Sequence, residues 1–81
     1  MHDLAAESET FDRALPGLLE GHRGEFALVK GGRVLGTFST ESDALLEGYR
    51  RLWEERPFLV KRIVPRQEEV PVFLGAASLL A

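Results

Sequence analysis

The chain has 81 residues, ten basic and thirteen acidic, for a net charge of −3; that is one domain, and its charge balance argues against non-specific nucleic-acid binding. It has no cysteine and only two histidines, His2 and His22, so disulfides, thiolate-bound zinc and a third ligand at metal spacing are all missing, and no cofactor is expected. A chain this short buries only about 60% of its unfolded surface, which makes a homodimer or another protein partner the expected way to cover more.

No apolar run approaches the roughly 20 residues that span a bilayer. The opening Met1–Glu7 is acidic where a signal peptide is basic and then apolar. The sequence therefore reads as cytoplasmic, with no membrane partner. Residues 1–7 read as a frayed end, with Ser8 capping a helix that starts near Glu9. Phe11, Leu15, Leu18 and Leu19 then recur at i, i+4, i+7 and i+8, one apolar stripe at helical spacing. Pro16 falls inside this stripe, where a proline costs a hydrogen bond and clashes with the preceding turn. One kinked helix or two abutting segments follow, ended by Gly21 and Gly24. His22, between those glycines, reads as a helix-end residue.

Phe26–Phe38 is the strongest local signal. Two β-type runs flank Gly31-Gly32, and glycine tolerates the positive φ that a two-residue hairpin turn demands. A regular register pairs Lys30 with Arg33, Val29 with Val34, Leu28 with Leu35 and Ala27 with Gly36. One face then carries Ala27, Val29, Val34, Gly36 and Phe38; the other carries Phe26, Leu28, Leu35 and Thr37. Both faces are apolar, so the hairpin is expected to be covered on both sides. Ala27–Gly36 forms a shallow spot where a helix could approach. Lys30 and Arg33 beside the glycines resemble a small cationic nest for phosphate, although charged shoulders on a tight turn explain them as well. A phosphate-binding loop feeding a helix that opens with Lys-Ser/Thr does not occur here.

Thr40 followed by Asp43 approximates a capping box and opens the clearest helix. Leu45, Tyr49, Leu52 and Trp53 form its stripe, widened by Leu46, with Tyr49 and Trp53 read as core anchors. Glu47–Arg51, Arg50–Glu54 and Arg51–Glu55 are opposite-charge pairs at i, i+4, and Pro57 ends the helix by about residue 55 or 56. Phe58–Val64 is a strand with Phe58, Val60, Arg62 and Val64 on one face and Leu59, Lys61 and Ile63 on the other. Val70–Leu74 reads as an edge strand because of Pro71, and residues 75–81 as an apolar tail. The fold class expected is α+β: an antiparallel sheet built on a β-hairpin with helices packed on it, in the order α-β-β-α-β with a further short strand.

Charge is unevenly spread. Residues 1–49 hold four basic and nine acidic groups, a balance of −5, whereas residues 50–66 hold six basic and two acidic, a balance of +4. Pairing within the fold or with a second subunit explains this contrast. The alternative is a nucleic-acid patch made by Arg50, Arg51, Arg56, Lys61, Arg62 and Arg66, whose affinity would fall steeply with salt. Neither a nucleophile with a supporting base nor a paired-carboxylate arrangement stands out, so the sequence does not read as an enzyme. The expected role is a non-enzymatic interaction or self-association module. Its contact surface is expected to combine Phe26, Leu28 and Leu35 of the hairpin with Val72, Phe73, Leu79 and Leu80 of the tail.

The succession Phe11, Leu15-Pro16, Leu18-Leu19, His22, Gly24-Glu25-Phe26-Ala27, Gly32-Arg33-Val34 and Gly36, then a helix with Tyr49 and the strand Pro57-Phe58-Leu59-Val60 through Arg62-Ile63-Val64, resembles a group of short bacterial hypothetical proteins. Those share a domain of unknown function with a glycine-aromatic hairpin between two helices, followed by a P-x-x-V-x-R-V strand. The resemblance spans roughly residues 9 to 65. It departs at Leu28, Val29 and the Gly-Gly turn. It implies a fold and assigns no reaction, because its motifs are glycines and apolar residues.

Overall fold

The computed structural model describes residues 4–65; the strand expected over 70–74, the tail 75–81, Arg66 and His2 lie outside them. Helix α1 (Ala5–Gly21) leads into β1 (Phe26–Lys30) and β2 (Arg33–Phe38), then α2 (Glu41–Leu52), a 3-10 turn (Trp53–Glu55) and β3 (Leu59–Arg62). The strands form one antiparallel sheet in the order β2-β1-β3. This is the expected α+β order, with the hairpin's first strand as the sheet's centre.

Each face of the sheet is covered by one helix. Phe11 and Leu15 of α1 pack on Ala27, Val29, Leu59 and Ile63, with Leu4, Leu18, Leu19 and Val34 at the margin. On the other side Ala44 and Leu52 of α2 pack on Leu28, Phe58 and Val60, joined by Phe26, Leu35, Phe38, Leu45 and Tyr49. The ladder between β1 and β3 is extended by Gly24 N–H donating to the Ile63 carbonyl (2.7 Å) and Ile63 N–H donating to the Glu25 carbonyl (2.7 Å). Gly24 reaches that position with φ of 88°, a conformation that L side chains resist.

Several expectations are corrected. Helix α1 starts at Ala5, four residues before Glu9, and runs unbroken through Pro16 to Gly21. Residues 5–7 are therefore helical, and Glu7 is buried. The hairpin has an irregular register: Val29 pairs with Val34 but Leu28 pairs with Gly36, Ala27 with Thr37 and Phe26 with Phe38. Leu35 is the extra residue of a bulge. Because side chains alternate with period two, one inserted residue reverses the faces of everything beyond it. Phe38 thus joins Phe26, Leu28 and Leu35 under α2, and Thr37 turns to the α1 side, where its hydroxyl meets His22. Gly36 does not make a notch for a helix; the Phe38 ring lies over it, 3.4 Å from where a Cβ would stand. The close helix approach is made by Gly48 instead, against Phe58.

Helix α2 begins as its sequence predicts, with Thr40 at the N-cap accepting from Asp43 N–H at 3.1 Å. Its inward side is lined by the small residues Ala44 and Gly48 together with Leu52. That choice turns Leu46 and Trp53 away from the sheet. They are 66% and 58% exposed, so Trp53 is not a core anchor, whereas Tyr49 packs edge-on against Phe58 with ring centroids 5.5 Å apart.

Candidate functional site: the outer face of the second helix

The hairpin tip was one sequence candidate for a ligand site. It is occupied from within. Gly31 takes the positive φ of the turn (59°), and its N–H donates to the Glu7 carboxylate at 2.7 Å. Thr10 Oγ1 donates to the Gly31 carbonyl at 2.8 Å, also lying 2.9 Å from the Ala6 carbonyl. On the opposite flank Lys30 Nζ donates to the Pro57 carbonyl at 2.8 Å; Pro57 follows a cis peptide bond. An internal carboxylate fills the position an external anion would take, and the lysine is spent on a backbone oxygen. The tip is a structural clasp joining α1, the hairpin and the start of β3.

That clasp gives a first prediction. Removing the acceptor leaves the half-buried Gly31 N–H without its charged partner, a loss of about 1.5–3 kcal/mol for hydrogen bonds to charged groups. Glu7→Ala should lower stability by about 2 kcal/mol, and Glu7→Gln, which keeps an acceptor oxygen, by clearly less. Urea titrations of the three proteins would show it; equal midpoints would mean the clasp contributes nothing.

The five basic residues of the alternative patch that fall among the described residues are spread over the fold; Arg66 lies outside them. Arg50 binds Glu47 through Nε and Nη2, with contacts of 2.9 Å to both carboxylate oxygens, and Arg51 reaches the same carboxylate at 3.5 Å. The expected Arg51–Glu47 pair is therefore present, while Arg50 turns back to Glu47. Lys61 lies on the α1 side with its ammonium 5.0 Å from the Phe11 ring centroid. Arg62 alternates to the other face and pairs in the ladder with Phe26, at the far end of β3 from Arg56. One acidic side chain thus serves two of the arginines, and Lys61 and Arg62 fall on opposite faces of β3.

The expected hairpin surface is also redistributed. Leu28 is fully buried beneath α2, so it presents nothing to a partner, and Phe26 and Leu35 are half-buried at the margin of that same cluster. Val72, Phe73, Leu79 and Leu80 lie outside the described residues.

The surface that sequence reasoning missed is the outer face of α2 together with the 3-10 turn that follows it. Asp43, Leu46, Arg50 and Trp53 recur at i, i+3, i+7 and i+10 and are all exposed, on the side opposite Ala44, Gly48 and Leu52. Leu46 and Trp53 are the exposed large hydrophobic residues of the described chain. Arg56 lies over the Trp53 ring, 3.7 Å from its centroid, and also donates through Nη1 to the Trp53 carbonyl. Tyr49 flanks the indole at 6.1 Å. This gives an aromatic pair with a guanidinium over the indole, just past the end of a helix whose first turn is acidic (Glu41, Asp43) and whose last turn is basic (Arg50, Arg51). The signal for it was present in the sequence as the i, i+7 spacing of Leu46 and Trp53.

A second polar group is the exposed trio at the end of α1. His22 Nδ1 lies 3.0 Å from Glu25 Oε1 and 3.3 Å from Thr37 Oγ1, which ties the turn after α1 to β2. Among the described residues no group of three or more His, Cys, Asp or Glu side chains is placed to hold a metal ion, and no helix is long and apolar enough to cross a membrane. No family model, curated protein or solved structure matches the chain.

Proposed function

We propose that the protein is a non-enzymatic interaction module that contacts its protein partner through the outer face of α2. The observation that supports this is the placement of Leu46 and Trp53. Both sheet faces are already covered by the chain's own helices, yet these two large side chains stand in solvent one above the other. Full burial of a large apolar side chain is worth about 1.5–3 kcal/mol, and Leu46 and Trp53 forgo more than half of it; tryptophan and arginine are among the residue types enriched at the hot spots of protein interfaces. At the hairpin tip Glu7, Thr10 and Lys30 are engaged within the fold, and Arg50 and Arg51 share the Glu47 carboxylate.

Trp53 is the only tryptophan in the chain, so its emission reports this surface alone. Partner binding should shift the emission to shorter wavelength as the indole leaves water. Trp53→Ala and Leu46→Glu should each abolish recovery of the partner in affinity capture while leaving the circular-dichroism spectrum unchanged. A captured set that is the same for the parent protein and for both variants would overturn the assignment of this face.

A further inference from the structure

We draw no further inference here: the strongest candidate, the exposed patch of Leu46 and Trp53 on the outer face of α2 and the 3-10 turn after it, belongs to the site already described, and nothing in the structure shows what covers it.

Discussion

Phe11→Ala is expected to remove about 3–5 kcal/mol of stability, the range for deleting a buried phenylalanine. At roughly 0.05–0.15 kcal/mol per residue, a chain of this size has on the order of 4–12 kcal/mol in total, so the variant should lose from about a quarter to all of its stability. The size of the effect follows from where the ring sits. Phe11 is fully buried and is the largest side chain by which α1 holds the sheet, packed on Ala27, Val29, Leu59 and Ile63. Two of the walls of the resulting cavity are strands fixed by ladder hydrogen bonds, so the site has little freedom to collapse, and cost rises with the residual cavity. The Lys61 ammonium would also lose the ring face beneath it. Phe11→Leu keeps most of the volume and should cost about 1.5 kcal/mol or less. Chemical denaturation followed by far-ultraviolet circular dichroism separates the two. A loss under about 1 kcal/mol for Phe11→Ala would mean that α1 docks by other contacts.

The spacing of apolar residues located both helices, the hairpin and β3, because each element buries one side and the burial is written into its period. What escaped it were features decided by a neighbour. The Leu35 bulge depends on which residues β1 offers opposite β2, and a strand with apolar residues on both faces, such as β2, looks the same with or without an inserted residue. Glu7 belongs to an acidic stretch that reads as solvated; only the folding of the Gly31 N–H against α1 gives its carboxylate a buried partner. The error at Trp53 has a different origin. Large apolar residues at Leu45, Tyr49, Leu52 and Trp53 suggest one inward side, but α2 approaches the sheet through the small residues Ala44 and Gly48. A pattern read from bulk therefore rotates the helix away from its true inward side, and hides the very residues that form the candidate interface.

Gly48 shows what that close approach requires, and it sets the second large effect. Alanine is the better helix former by about 1 kcal/mol, so in an exposed helix Gly48→Ala would stabilise. Here the sign should reverse. A Cβ added at Gly48 would stand 2.5 Å from Phe58 Cζ and closer still to Cε1, and the ring cannot swing aside. It is fully buried, with Tyr49 edge-on to it and Leu28 and Val60 in the same cluster. Overpacking of this kind costs about 1–3 kcal/mol and occasionally more; with a pinned aromatic ring it falls at the upper end, leaving a net loss of about 2 kcal/mol. Gly48→Val, with two further methyl groups and a β-branch in the helix, should lose more and release α2 from the sheet. The cause can be isolated by shortening the opposing side chain. In Phe58→Leu the ring atoms that meet the new Cβ are gone, so Gly48→Ala made in that background should cost much less, or even stabilise. A double-mutant cycle by urea denaturation should return a favourable coupling of about 1–2 kcal/mol between the two positions. Additive losses would show that the two residues do not meet, and a stabilising Gly48→Ala in the parent protein would place α2 farther from the sheet than the Phe58 contact demands.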